Sequence, residues 1–467
     1  MRACAVGVLC TLVLGCTPAV AVSRTCHVEV APTRLIEPEA RWGSPLVPAS
    51  GILGDRVLVT WISSGAVGED VWQSRWLGWW DAELGVVSEP EYVAYTLDGG
   101  NLEFREVDGE LIAQSWLSTE VPNVATFDEG AGMGFLLASP ERGARFERVM
   151  VRAQSATSPT VLIGGGAEGL MPTLVTQTDV ISAFVSAPLE CTSTGGLSSY
   201  WRLTLGRRST RRATPLYWGS MPCDGEASNG LTVSAAEAAV LSSGEIGMFI
   251  RLGVLGGRPP NHDLGLHYLR LNSDGSEILI GPVRIGEIDT QRPFDSGLQP
   301  RVLPFANGRI LFTERRGRDG LNTCHALRLV NEDGTSPTDA PWQLPCIHDL
   351  DRETRMVMLV PLEDGALVMW EERQRIPWRE LLLPDEPYDE GIFVATVNDG
   401  GQRTSEILRV TGPESRSYGE LPASGGLPGN FLPHVSSDGE RDAVVTWTSA
   451  HPEHVGAYAT RIRCEPL

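Results

Sequence analysis

His451-Pro452-Glu453-His454 is the most metal-like grouping in the 467-residue chain, because neutral imidazole and carboxylate are both ordinary zinc ligands. Its histidines lack the i, i+4 spacing that sets two imidazoles on one helical face, so it reads as a solvated polar loop and no metal is expected. Cys346-Ile347-His348-Asp349 gathers thiol, imidazole and carboxylate, but a cysteine committed to a disulfide has no thiolate to offer a metal. Gly164-Gly165-Gly166-Ala167-Glu168-Gly169 matches G-x-G-x-x-G, a pattern whose chemistry is close approach of backbone to a pyrophosphate at a helix start. Leu170-Met171-Pro172 follows and opens what reads as a strand, so the glycines are expected to form a turn between repeats and to bind no cofactor. Arg207-Arg208-Ser209-Thr210-Arg211-Arg212 is the one concentrated positive patch. Guanidinium groups could hold an anionic glycan or a lipid phosphate there, although such a run more often forms a charged hairpin tip that keeps a sheet edge soluble.

All 38 basic side chains are arginine. With no lysine there can be no P-loop, no Schiff base and no lysine general base. A net charge of −21 argues against a nucleic-acid partner, since phosphate binding rests on a basic face. G-x-S-x-G elbows, zincin helices and EF-hand loops are absent, as are the Asp-box repeats of sialidase propellers.

The first residues read as an address. Arg2 precedes an apolar run over residues 3–14, too short to span a bilayer and placed as a secretory signal. Val13-Leu14-Gly15-Cys16 resembles the lipobox of bacterial lipoproteins, which implies acylation of Cys16, and Thr17 by the same resemblance implies sorting to the outer membrane. The rival cut, after Ala19-Val20-Ala21, would release a soluble periplasmic or secreted protein. The expected division is a signal peptide over 1–15, a tether over 16–25 and one domain over 26–467. Cys26, Cys191, Cys223, Cys324, Cys346 and Cys464 then remain, an even number that suits disulfides in an oxidising compartment.

A repeat must position all of these residues. Asn307-Gly308, Asp364-Gly365 and Asp438-Gly439 each separate two strand-like runs, a hairpin signature because such turns need positive φ. Second hairpins follow at Asn272-Ser273-Asp274-Gly275, Asn331-Glu332-Asp333-Gly334 and Asn398-Asp399-Gly400, and two hairpins in series make a four-stranded unit. Aligning the second strands brings Trp61, Trp116, Phe184, Phe249, Thr313, Trp370 and Trp447 into one column, with spacings of 55 to 77 residues. Helical stripes are nearly absent. The expected fold is an all-β propeller of seven four-stranded blades, with six or eight as alternatives. The four tryptophans of the column are expected to pack inside blades rather than to cage a ligand.

The last unit stops after its third strand, at residues 457–463, while a spare strand at 26–30 is free to complete it. That closure sets Cys26 beside Cys464. Cys324, opening a third strand, falls beside Cys346, which ends a partner strand at 341–345, and Cys191 and Cys223 meet in two loops of one blade. Tight turns occupy one face of such a ring and the longer loops the other. The long loops carry Glu69 and Asp70; His262 and Asp263; Arg315, Arg316, Arg318 and Asp319; Glu371, Glu372 and Arg373; and His451, Glu453 and His454. An insertion over 376–390 adds Trp378 and Tyr388 among acids. Arg315, Arg316, Arg318, Glu371, Glu372, Arg373, Trp378, His451 and His454 are the ligand-binding candidates, because binding residues concentrate on long loops held by a rigid scaffold.

The alternation of strand, Asp-Gly turn, Trp-ended strand and Asn-x-Asp-Gly hairpin resembles the uncharacterised exported propeller-repeat proteins and lipoproteins of bacteria. The resemblance implies an architecture and no reaction. The expected function is a lipid-anchored binding or scaffolding propeller that offers its long-loop face to a protein or glycan. The alternative is a propeller glycosidase or lyase built on acidic loop residues, which would need two carboxylates flanking a bound sugar.

Overall fold

The computed structural model describes residues 23–36, 45–67, 70–96, 102–118, 131–151, 160–163, 173–188, 198–210, 212–222, 230–255, 262–286, 300–317, 323–347, 352–374, 390–411, 433–449 and 456–467. Glycine-bearing turns punctuate them as the sequence predicts: Gly308 and Gly439 adopt φ of 78° and 83°, which only a residue without a side chain tolerates cheaply, and a strand returns from each. In the third of the second hairpins the positive φ falls on Gly401 rather than Gly400, while the Asn398 side chain accepts from the Gly400 and Gln402 amides.

The strands form a seven-bladed propeller of antiparallel sheets. Blade 1 holds Pro45–Leu53, Arg56–Val67 and Asp70–Asp81, with a fourth strand in two pieces, Val86–Val87 and Glu91–Thr96. Blade 2 is Arg105–Val107, Glu110–Ser118, Ala131–Ser139 and Gly143–Val151. Its inner strand is so short that the far end of Glu110–Ser118 pairs instead with Tyr95 and Thr96, which fuses blades 1 and 2 into one nine-stranded sheet. In blade 3 two pieces, Thr160–Ile163 and Thr173–Val175, share the inner edge of Val180–Pro188, followed by Ser198–Arg207 and Arg212–Pro222. Gly164 to Gly169 lie outside the described residues, and the next described element is the strand Thr173–Val175. Blade 4 is Gly230–Val240, Ile246–Leu255, His262–Leu271 and Ile278–Arg284; blade 6 is Arg352–Leu362, Gly365–Gln374, Glu390–Val397 and Leu408–Arg409.

Blade 5 corrects one expectation. Val302–Pro304, Arg309–Gly317 and Thr323–Asn331 form its sheet, and residues 341–345 add no fourth ladder. Pro341 and Pro345 have no N–H to donate, the Trp342 amide bonds the Gly401 carbonyl of blade 6, and the Gln343 side chain takes the Leu327 carbonyl in place of a backbone amide. The segment still reaches its partner, for Cys346 bonds Cys324 from a single 3-10 turn, Pro345–Ile347.

Blade 7 comprises His434–Ser437, Asp442–Ser449 and Gly456–Pro466, and is completed by the N-terminal strand Arg24–Ile36 with Cys26 opposite Cys464. The two cysteines are bonded, as the closure argument requires. Cys191 and Cys223 lie outside the described residues. Two disulfides fit an oxidising compartment outside the cytoplasm. Among the described residues no helix is long and apolar enough to cross a membrane.

The core lies between blades, because alternate residues of a strand face opposite sides. Ala366, Val368 and Trp370 pack toward blade 5 against Leu311 and Leu327, whereas Leu367 and Met369 pack toward blade 7 against Val435, Val445 and Trp447. Trp61, Trp370 and Trp447 are fully buried, the latter two stacked on Phe393 and Tyr458. They are packing residues, and not a ligand cage. Trp116 occupies the same column of blade 2, on Glu110–Ser118.

Candidate functional site at the propeller axis

The innermost strand of each blade lines the central channel of a propeller. A buried charged group has to be paired or has to shift its pKa, so charges on inner strands stand out. The chain brings five titratable groups there: Glu103 and Arg105 at the inner strand of blade 2, Glu237 in Gly230–Val240 of blade 4, Arg301 just before Val302–Pro304 of blade 5, and His434 at the start of His434–Ser437 in blade 7. Arg301 Nη1 lies 3.6 Å from Glu103 Oε1 and 3.5 Å from Glu237 Oε2. Blades 2 and 5 are not neighbours in the ring, so the contact between Glu103 and Arg301 spans the channel.

Above this layer a cavity of about 450 Å³ is lined by Glu103, Arg105, His434 and Ser436. Gly54, Asp438, Gly439 and Glu440, from the first turns of blades 1 and 7, also line it, so it lies toward the short-turn face. Ser50 Oγ and Ser436 Oγ are hydrogen-bonded at 2.9 Å and tie the inner strands of these two blades together.

Burial, reinforced by the Glu103 carboxylate, pushes the Glu237 carboxyl well above the usual carboxylate range, against the pull of Arg301. Its side chain is only 4% exposed. Burial also takes the His434 imidazole down to about 3, helped by Arg301 and Arg105 and opposed by the Leu102 backbone. His434 is therefore neutral. Its Nδ1 accepts the Ser50 amide at 3.3 Å, which assigns the ring proton to Nε2. Among the described residues Arg301 Nη1 and Glu237 Oε2 are buried and meet each other at 3.5 Å, longer than an ordinary charged hydrogen bond, while the Leu102 backbone faces the His434 ring. The arrangement cannot relay protons through His434 near neutral pH, but it offers strong donors to anything that reaches the channel.

Of the ligand-binding candidates read from the sequence, five fall on described residues. Arg318, Trp378, His451 and His454 lie outside the described residues, as do Glu69, Asp319, Tyr388 and Glu453. Arg315 and Arg316 sit on Arg309–Gly317 opposite His325 and Cys324, and Arg373 on Gly365–Gln374 opposite Glu390. Glu371 and Glu372 are buried, and Glu372 accepts the Trp370 indole N–H at 3.1 Å. The arginine patch forms the expected hairpin tip, with Arg207 opposite Arg212. Arg208 is spent on Glu147 of blade 2 at 2.8 Å, and Arg207 donates to the Asp274 carbonyl of blade 4. No group of three or more His, Cys, Asp or Glu side chains among the described residues is arranged to hold a metal ion.

The axial residues were absent from the sequence reading. One signal was there: Glu237 is a lone carboxylate within Ala235-Ala236-Glu237-Ala238-Ala239, in a strand that otherwise reads as buried.

No protein-family model and no curated protein matches the chain. Among solved structures it is similar to the α-L-arabinofuranosidase Arb93A from Fusarium graminearum in complex with an iminosugar inhibitor, at 12% identity and a TM-score of 0.39, covering 93% of this chain and 97% of that one. A protein of unknown function from Dyadobacter fermentans matches at 10% identity and 0.41, covering 94% and 99%. An ulvan lyase bound to a GlcA–Rha3S repeat matches at 11% and 0.46, covering 93% and 95%. At these scores none of them lends this chain a function.

Proposed function

We propose that the protein is an exported binding module that takes a glycan segment in the axial cavity of its short-turn face. The observation that carries this reading is a cavity of about 450 Å³ lined by Glu103, Arg105 and His434, with the loosely paired Arg301 and Glu237 behind Glu103. That volume lies within the range of small-ligand sites and suits a disaccharide. Long ion contacts leave part of a guanidinium's hydrogen-bonding capacity unused, and a ligand oxygen at hydrogen-bond distance from it would gain a charge-assisted bond.

The address belongs to the same proposal: a lipid on Cys16, a tether over residues 16–25 and the outer membrane as destination. The two disulfides support export. The Ser23 amide meets the Thr404 carbonyl and Arg24 pairs with Asp364 of a first turn, so the chain enters at the short-turn face. A tether of nine residues between Cys16 and Cys26 reaches at most about 30 Å and would turn the cavity toward the membrane.

One observation favours the enzyme alternative. Glu103 and Glu237 are two carboxyls within reach of one guanidinium nitrogen, and the raised Glu237 has the protonation state of a general acid. Arg301 fills the space where a glycosidic bond would have to lie, which is why binding is the leading reading.

Titration calorimetry of the mature protein against a panel of neutral and acidic disaccharides tests it. One-to-one binding is expected, abolished by Glu106→Trp, which fills the cavity mouth from an exposed position. Binding untouched by that substitution would move the site elsewhere. Release of reducing sugar by the wild type and not by Glu237→Gln would establish the enzyme instead. Radiolabelled palmitate incorporation lost on Cys16→Ala checks the anchor.

A further inference from the structure

The partly buried Glu103 is held more loosely than Glu110 and Asp442. Glu110 takes Arg145 through two bonds of 2.5 and 2.6 Å, and Asp442 takes Arg463 at 2.8 and 3.0 Å, the short bidentate geometry of a structural pair. Glu103 instead lies between two guanidiniums at longer range, with Oε1 3.6 Å from Arg301 Nη1 and Oε2 accepting from Arg105 Nη2 at 3.3 Å. Two arginines from opposite parts of the ring converge on one loosely held carboxylate, and Arg301 Nη1 still has no hydrogen bond among the described residues.

We propose that Glu103 occupies, in the unliganded protein, the seat of a ligand carboxylate, and that the glycan bound at the axis is one carrying a uronic acid. This chemistry rests on axial binding as proposed above and names its substrate class. Two guanidiniums serve as donors: the half-exposed Arg105, which lines the cavity, and the buried Arg301, which lies behind Glu103. The floor carries surplus positive charge, because Glu237 resists ionisation and leaves Glu103 facing two arginines. His434 feels that surplus, since Arg301 and Arg105 both push its proton away. The mouth has the opposite character. Glu106, Asp438 and Glu440 line it, and carboxylates there accept sugar hydroxyls while repelling a second anionic group. A single carboxylate directed inward with hydroxyls behind it satisfies both ends, and a polyanion does not. When the ligand arrives, its carboxylate replaces that of Glu103 between Arg301 and Arg105, and Glu103 turns toward the cavity.

Cellobiouronic acid and cellobiose, alike in size and different by one carboxylate, are titrated into wild type, Glu103→Ala and Arg301→Gln. The wild type should bind the acid at least tenfold more tightly than the neutral sugar. Glu103→Ala, with the seat vacated, should bind the acid at least fivefold more tightly than wild type, and Arg301→Gln should lose the preference. Acetate should raise the Tm of Glu103→Ala and leave that of wild type unchanged. If Glu103→Ala does not fold, Glu103→Gln carries the same comparison. Equal affinity for the two sugars overturns the uronate class while leaving axial binding intact. A Glu103 variant that binds the acid no better than wild type, with a Tm indifferent to acetate, overturns the exchange. Failure of either sugar to bind any of the proteins overturns the inference, and failure of the whole disaccharide panel overturns axial binding with it.

Discussion

Removing the Cys26–Cys464 bond should cost more than removing Cys324–Cys346, and the difference follows from their separations of 438 and 22 residues. In the chain-entropy model a crosslink denies the unfolded chain a loop whose entropy grows as 1.5R ln n. At 25 °C this gives about 3.4 kcal/mol for the local bond and about 6 kcal/mol for the closure bond, a gap of about 2.6 kcal/mol. The comparison isolates the crosslink, because Arg24–Ile36 keeps its ladder to Gly456–Pro466 when both cysteines become alanine. Equilibrium urea unfolding of the Cys26→Ala/Cys464→Ala and Cys324→Ala/Cys346→Ala variants, measured side by side at 25 °C, gives both losses from midpoint and slope. The closure variant should also unfold with a steeper slope, since its denatured chain exposes more surface once the ring is open. Equal losses, or a smaller loss for the closure variant, would refute the view that the ring is stabilised by restricting the whole chain.

His434 makes the fold acid-sensitive. Unfolded, its imidazole takes a proton near pH 6.5, but in the fold only near 3, so the native state is favoured above pH 6.5 and loses that advantage as pH falls, by about 3 kcal/mol at pH 4. His434→Gln should remove this slope in urea midpoints taken between pH 7 and pH 4; parallel curves for variant and wild type would count against a buried neutral imidazole. Arg208→Ala breaks a partly exposed pair with Glu147 and should cost no more than about 1 kcal/mol, shrinking as salt is raised, in the same assay. A larger, salt-independent loss would mean that the arginine hairpin clamps blades 2 and 3 more firmly than a surface ion pair can.

The blades were legible where local chemistry repeats. Asn272-Ser273-Asp274-Gly275-Ser276 and Asn331-Glu332-Asp333-Gly334-Thr335 build the same turn, in which the Asp accepts the hydroxyl and amide of the following Ser or Thr and the Asn donates to that hydroxyl. Identical side chains at identical offsets give identical turns, and such turns fix the register of the strands they join. The Cys26–Cys464 bond followed from that register, whereas Cys324–Cys346 forms although the partner strand expected at 341–345 does not. The exceptions are places where a tertiary contact replaced a local one. The 341–345 segment spends its amide on the next blade, and residues 95 and 96 pair with blade 2 only because Arg105–Val107 leaves half an edge unpaired.

The axial site was not legible for a geometric reason. Glu103, Glu237, Arg301 and His434 are scattered over 331 positions, and no two of them fall at a spacing that a helix or hairpin would bring together. What joins them is ring closure, which turns the inner strands of blades 2, 4, 5 and 7 toward one axis. Once the ring is drawn, each is an ionisable side chain on a strand that must be buried, and burial of a charge demands a partner across the channel, because neighbouring inner strands supply mostly apolar groups. Arg301 finds two such partners, and neither contact is as short as the structural pairs elsewhere in the molecule. A cluster retained for stability alone would tighten those distances or be replaced by apolar side chains of equal volume, which usually costs nothing or stabilises. Loose pairing beside a cavity that blades 1, 2, 6 and 7 share therefore points to a site kept for what enters it.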